Sequence, residues 1–252
     1  MIYKDNYRFG ISMTCYKRLD YLKQVLTSLE KSLKYIESKN KDTCLYVSVD
    51  YYDDKILSLV NNIDFIDTQI IVNRPSLGCN MNTKQALLMS LKENDATIHL
   101  EDDTVPCIDF FDFMIKKLNR YHDDENVLSV SGYKKTTSLS NLSLEDHTLQ
   151  KHYTCWGSAF WKHKFDIIKD NWIPEGNSDN KSMSWDTHLC YTLFNDLNFM
   201  GVISIGSYYQ VIPTISRMNN IGSENGTWTP SVDFHFKENH SPFTSENIIY
   251  DT

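Results

Sequence analysis

The sequence predicts an α/β domain around one mixed central sheet that is mostly parallel in its first half. Three observations carry this. Short apolar runs alternate with amphipathic helical patterns over the first hundred residues, and alternation at that spacing implies parallel strands joined by right-handed crossovers. The polar segments that follow residues 14, 49, 72 and 100 then share one edge of the sheet, where such folds bind ligands. At 252 residues the chain is also long enough to bury one substantial core.

The elements follow in order. Phe9 to Thr14 reads as a strand. Leu22, Val25, Leu26, Leu29, Leu33 and Ile36 recur at steps of three and four, which marks a helix with Asp20 near its start. Leu45 to Val49 is the second strand, Ile56, Leu57 and Val60 a short helix, and Gln69 to Val72 the third strand. A helical pattern from Met81 to Leu91 leads to a fourth strand, Ala96 to Leu100. Beyond it, Phe110 to Tyr121 reads as helix and Val127 to Ser131 as strand. Residues 134 to 150 are expected to form a surface loop. An aromatic segment, Tyr153 to Trp161, precedes a helix from Ser184 to about Phe194. Val202 to Ile205 and Gln210 to Ile212 are expected strands, and the chain from Asn219 onward, rich in Asn, Gly, Ser and Pro, is expected to be irregular.

Bulk properties exclude several classes. The net charge is -8 with no basic stripe, which argues against nucleic-acid binding. Six cysteines form no CxxC pair and several lie in apolar runs, so buried reduced thiols are expected, not a disulfide framework or zinc knuckle. No apolar window approaches a membrane span. The N-terminus has no signal-peptide core, so a cytoplasmic location is expected. Peripheral membrane association is compatible with all of this.

The chemistry-bearing segments lie at the predicted strand ends. Glu101, Asp102 and Asp103 follow the fourth strand directly. Three adjacent carboxylates repel one another and are best tolerated in water or around a cation. Mn²⁺ or Mg²⁺ takes oxygen ligands from one or two carboxylates plus phosphates. A solvated acidic turn is the bland alternative. Cys15-Tyr16-Lys17-Arg18 follows the first strand and Asp50 the second. Arg18 offers a planar donor fork and Asp50 an acceptor for a ribose or base. Equally, Asp50 could cap the next turn and Arg18 could be a surface residue. Asn73 to Asn80 is a Gly-containing turn before a helix N-terminus, where anions are favoured, but it is neither a dinucleotide fingerprint nor a P-loop.

In this order the segments resemble the nucleotide-binding half of GT-A glycosyltransferases, whose metal signature is a DxD-type motif. The resemblance is closer to the N-acetylglucosaminyltransferase I type, through Glu101-Asp102-Asp103, Pro106 to Phe111, Val130 to Tyr133, Cys155 to Ala159, Trp185-Asp186 and Pro213 to Arg217. The stretch from Asn73 to Gln85 is shorter and more similar to family-2-like bacterial glycosyltransferases. The resemblance implies a single domain over 1–252, with a Rossmann-like nucleotide-sugar-binding half at about 9–105 and an acceptor-binding, catalytic half at about 106–252. It implies an inverting transfer from a UDP-sugar to a hydroxyl of a glycan or glycoconjugate acceptor, by a hexosyl- or N-acetylhexosaminyltransferase. Asp103 would be the metal ligand, Glu101 and Asp102 would lie near the ribose and metal waters, and Arg18 and Asp50 would contact the uridine. Asn73 belongs to the same donor-binding set. Asp186 would be the general base, and the segment after Arg217 a loop closing over the donor.

Sugar transfer needs charge neutralisation on the departing diphosphate and a carboxylate to take the acceptor proton. Asp186 fits that need, and it also fits plain stabilisation of a helix start. Arg217 could reach the diphosphate, and the Arg217 to Trp228 segment is expected to be a mobile lid. Among the histidines, His235 is a candidate late metal ligand and also a candidate structural residue. His99 is expected to be a satisfied core residue. Nucleotidyl transfer and a catalytically silent nucleotide-sugar or glycan-binding module are the rival readings.

Overall fold

The computed structural model describes residues 8–36, 43–134, 147–173, 183–194, 208–213, 216–221 and 248–250. The first half runs β1 (Phe9–Cys15), α1 (Leu19–Tyr35), β2 (Cys44–Val49), α2 (Asp54–Asn61), β3 (Asp67–Val72), α3 (Gly78–Glu93) and β4 (Ala96–Glu101). All of these were legible from periodicity. Leu22, Val25, Leu26 and Leu29 of α1 are buried, which is the predicted stripe. Asp53 caps α2 by accepting from the amides of Lys55 and Ile56.

The second half comprises β5 (Thr104–Pro106), α4 (Phe110–Arg120), β6 (Val127–Ser131), β7 (His147–Gln150), β8 (Ser158–Trp161), α5 (Lys162–Asp170) and α6 (Trp185–Leu189). The last of these continues as a π-helical turn, Cys190–Phe194. Then come β9 (Tyr209–Pro213), β10 (Met218–Asn220) and β11 (Ile248–Tyr250). Nine described strands form one sheet in the order β11-β7-β9-β6-β8-β4-β1-β2-β3, and β5 pairs with β10 in a separate two-stranded ladder. β1, β2, β3 and β4 are mutually parallel. β8 then runs antiparallel between β4 and β6, so the sheet is mixed, as expected.

The chain leaves β1 towards β2 and β3, then returns to place β4 on the other side of β1. Strand order reverses there, and the crevice at the carboxyl ends of β1 and β4 is the natural ligand site of such a sheet.

Several expectations are corrected. Residues 147–150, taken as part of a surface loop, are β7, with His147, Thr148 and Leu149 buried. Their polar composition hid a strand whose neighbours supply the packing. The tail from Asn219 is not uniformly irregular: Met218–Asn220 pairs with Pro106, Val105 and Thr104, and Ile248–Tyr250 pairs with β7. Only cross-strand partners, remote in sequence, create these short strands. β5 and α5 were not anticipated. The expected strand Val202–Ile205 lies outside the described residues. All six cysteines are free thiols, but Cys79 is exposed and Cys44 half-buried, so the expectation of burial holds for the other four.

Two packing features yield tests. Gly157 has φ +61°, and a Cβ there would lie 2.5 Å from Met218 Cε and 2.9 Å from Phe110 Cε2. Gly157→Ala is expected to lower stability by roughly 1–3 kcal/mol through overpacking and backbone strain, measured by urea unfolding. His99 is fully buried on β4. Its Nδ1 bonds Ser12 Oγ at 3.1 Å, whereas Nε2 is buried without a partner, so the ring is only half satisfied. Burial pulls its pKa down to about 3, below the unfolded value near 6.5. The unfolded chain therefore takes up a proton below pH 6.5 that the folded chain refuses until about pH 3. Stability should fall across that window by at most about 1.4 kcal/mol per pH unit. His99→Gln should flatten this part of the profile, and an unchanged slope between pH 6.5 and 4 would refute the assignment.

Candidate active site

A cavity of about 500 Å³ opens at the carboxyl ends of β1, β2 and β4, bordered by Tyr16, Arg18, Asp50, Gly78, Glu101 and Asp102 among others. Glu101 ends β4, and Asp102 and Asp103 follow in a turn. Thr104 Oγ1 fixes that turn by donating to the Glu101 carbonyl at 3.0 Å and accepting from the Glu101 amide at 2.8 Å. The Asp103 carbonyl accepts from the amide of Ile221 at 2.9 Å, which ties the turn to the end of β10.

Opposite lies the β1–α1 turn. Lys17 there has φ +56°, a left-handed conformation that costs a non-glycine residue and often marks a functional turn. It sets Arg18 facing the acidic cluster. Arg18 donates Nη2 to Asp102 Oδ1 and Nη1 to Asp103 Oδ2, the latter at 2.6 Å. Asp102 Oδ2 also accepts from the Tyr16 amide at 2.7 Å. The second oxygen of Asp103, Oδ1, is buried with no hydrogen-bond partner.

The carboxylates load one another. Burial first, then the charges of Asp103, Asp186 and Asp102, push Glu101 up to about 8, with Arg18 opposing. Burial raises Asp102 to about 6 against the pull of Arg18 and the Tyr16 amide. Asp186, in the first turn of α6, is therefore within electrostatic reach of Glu101, although 85 residues separate them in sequence. It accepts a hydrogen bond from Cys155 Sγ at 3.5 Å.

Asp50 fills its acceptor positions within the protein. Oδ1 accepts from the Leu77 amide at 2.6 Å and from Asn73 Nδ2 at 3.4 Å. Oδ2 accepts from Ser76 Oγ at 2.6 Å and the Gly78 amide at 2.9 Å. The turn it caps is therefore not the next one in the chain, as sequence suggested, but the distant one at the start of α3; Asp53 caps α2. Asn73 is buried in a polar network with Ser48, Asn82 and Gln85 behind that turn. Ser76, Asn82 and Thr83 border the cavity as well. Sequence reasoning missed Asn82 and Thr83, since nothing in a helical pattern says which polar face turns inward.

Arg217 is not among the residues that border the cavity. It is buried at 4 % exposure, with Nε on Asp109 Oδ2 at 3.2 Å and its guanidinium 4.8 Å from the Phe113 ring centroid. Its backbone is held between Gly132 and Cys107. Of the segment expected as a lid, Met218–Asn220 is β10 and the Ile221 amide is bonded to Asp103. Residues 222–228 and His235 lie outside the described residues.

The residues fit a divalent cation. A carboxylate cluster with one facing cation and an orphaned buried oxygen on Asp103 is a site short of positive charge. Among the described residues, no three acidic, Cys or His side chains enclose a metal ion by themselves. A cation here would take the remaining ligands from phosphate and water, as Mg²⁺ and Mn²⁺ commonly do.

A mixed sheet of this topology, with a crevice at the strand-order reversal bordered by Glu101 and Asp102, is a GT-A-like fold. Solved structures agree. The 1–349 portion of TarS from S. aureus superposes with a TM-score of 0.52 at 13% identity, over 81% of this chain and 60% of that one. The same TarS portion in complex with UDP superposes with a TM-score of 0.52 at 14% identity. A mannosyltransferase from Pyrobaculum calidifontis, in complex with GDP-Man and Mn²⁺, superposes with a TM-score of 0.51 at 14% identity, over 84% of this chain and 59% of that one. The chain thus spans about 60% of the length of these structures. No protein-family model and no curated protein sequence matches it. No helix among the described residues is long and apolar enough to cross a membrane.

Proposed function

We propose that the chain is a glycosyltransferase that moves a sugar from a UDP-sugar to a hydroxyl of a glycan or glycoconjugate, with inversion and with Mn²⁺ or Mg²⁺. The observation that carries this is that Glu101 and Asp102 border the cavity with Asp103 next to them in the same turn, and that Asp186, from the second half of the chain, lies within electrostatic reach of Glu101. Residues of about 9–105 form the donor-binding half and those of about 106–252 the acceptor half.

Asp103 would hold the cation, with Glu101 and Asp102 beside it. A cation bound there would supply neutralisation of the charge that develops on the departing diphosphate. Arg18, already aimed at this point, exchanges part of its carboxylate contact for donor phosphate. Asp50 and Asn73 hold the turn at residues 76–78, whose backbone forms the wall on the nucleoside side. Asp186 takes the proton of the attacking hydroxyl.

Resemblance in fold to TarS bound to UDP and to the mannosyltransferase bound to GDP-Man supports a nucleotide-sugar donor and leaves the base to be tested. Thermal unfolding with UDP-, GDP- and dTDP-sugars, with and without Mn²⁺, tests it. A ligand at 100 times its Kd adds about 2.7 kcal/mol to the native state. UDP-sugars are expected to raise the melting temperature only in the presence of the cation. A larger rise with GDP-sugars would overturn the uridine assignment.

A further inference from the structure

The segment that carries Asp186 has internal bonds from His188 N to the Ser184 carbonyl and from Ser184 Oγ to Thr187 Oγ1, but its first turn lacks a side-chain cap. α6 is five residues long, and the side chain of Ser184 before it caps none of its amides. Further restraints come from α3. Asn80, in the first turn of α3, accepts from the Trp185 amide with Oδ1 at 2.9 Å and donates Nδ2 to the Met183 carbonyl at 3.3 Å. The carbonyl of Asn80 accepts from Trp172 Nε1 at 3.0 Å. The Trp172 ring stacks on Trp185 with centroids 5.2 Å apart and planes 13° from parallel. One residue of α3 thus brackets Ser184 on both sides and also anchors the ring that packs on Trp185.

The carboxylate of Asp186 has a separate restraint, the thiol of Cys155. Cys155 is buried, and burial together with Glu101 and Asp186 keeps its thiol protonated, hence a donor. It sits in the turn before β8 that the left-handed Gly157 closes.

We propose that Asn80 and Cys155 are positioning residues for Asp186, Asn80 setting its backbone turn against the donor cavity and Cys155 setting the direction of its carboxylate. This rests on the reading of Asp186 as the base. Gly78 and Cys79, next to Asn80 in the chain, border the cavity. The first turn of α3 therefore bears the donor-site wall and the tether of the base at once. A base must lie within hydrogen-bond reach of the proton it takes, and misplacement by about 1 Å can cost about 100-fold in rate. Neither Asn80 nor Cys155 is assigned a contact with the reacting atoms.

The test measures UDP release from UDP-GlcNAc with Mn²⁺, for Asn80→Ala, Cys155→Ala, Cys155→Ser, Asp186→Asn and the pairings of the alanine variants with Asp186→Asn. Asn80→Ala and Cys155→Ala are expected to lower kcat roughly 10- to 100-fold, with KM for UDP-GlcNAc essentially unchanged. Cys155→Ser keeps a donor and should recover most of the loss. On an Asp186→Asn background each alanine should add less than about twofold, because nothing remains to be positioned.

Losses that multiply undiminished on that background would mean that the residues act on the fold, and would overturn the proposal. Hydrogen exchange supplies a readout independent of turnover. The Trp185 amide should lose protection in Asn80→Ala while amides of β1 and β4 keep theirs, and unchanged protection refutes the role of Asn80. Near-normal turnover of Asp186→Asn would sink the base reading and this inference with it. An inactive Asp186→Asn beside fully active Asn80→Ala and Cys155→Ala would sink this inference alone.

Discussion

Asp186→Asn is expected to reduce transfer by about 10²–10⁴-fold, the range that a positioned base contributes, while UDP and Mn²⁺ bind as before. The substitution keeps size and the hydrogen-bonding partner Cys155 but cannot accept a proton. It also removes one of the charges that raise Glu101, so donor binding should not suffer. Single-turnover transfer alongside calorimetry of UDP binding checks both halves. Near wild-type turnover would leave Asp186 as a residue that only stabilises the start of α6, where a carboxylate is favoured by the helix dipole.

Asp103→Ala is expected to abolish the Mn²⁺ dependence of UDP binding with the fold intact. Among the described residues the side chain is bonded only to Arg18, and its other oxygen has no partner. Removing it leaves Arg18 paired with Asp102, so no buried charge is left without a partner. The same change relieves the largest of the carboxylate repulsions on Glu101. Stability should therefore stay close to wild type, and the loss should appear in cation-linked affinity. Calorimetric titration of UDP at fixed Mn²⁺ decides the matter, and wild-type cation linkage in the variant would remove Asp103 from the metal site.

The two variants separate the two halves of the site, and their legibility differs for the same reason that their positions do. Glu101 to Asp103 could be placed from sequence because an apolar run from Ala96 to Leu100 ends directly in them, and a strand's end in a parallel sheet has a defined location. Arg18 and Asp50 followed from the same rule. What sequence could not show is that Asp50 would spend its oxygens on Ser76, Leu77 and Gly78, because the returning turn is more than twenty residues away. Arg217, read from sequence as able to reach the diphosphate, has contacts that sequence could not show either: Asp109, just before α4, and the Phe113 ring on α4, about a hundred residues earlier in the chain.

Periodicity by itself determined the Rossmann-like half. Those helices and strands bury faces that repeat every 3.6 or 2 residues, so local pattern and final environment coincide. The edge of the sheet that carries the cavity and the acidic cluster were determined with them. Tertiary structure alone decided the second half of the sheet. β5, β7, β10 and β11 are three or four residues long and exist because a distant strand completes their hydrogen bonds. It alone brought Asp186 to Glu101 through Asn80 and Cys155, since hydrogen bonds across roughly 30 and 100 residues leave no trace in local spacing.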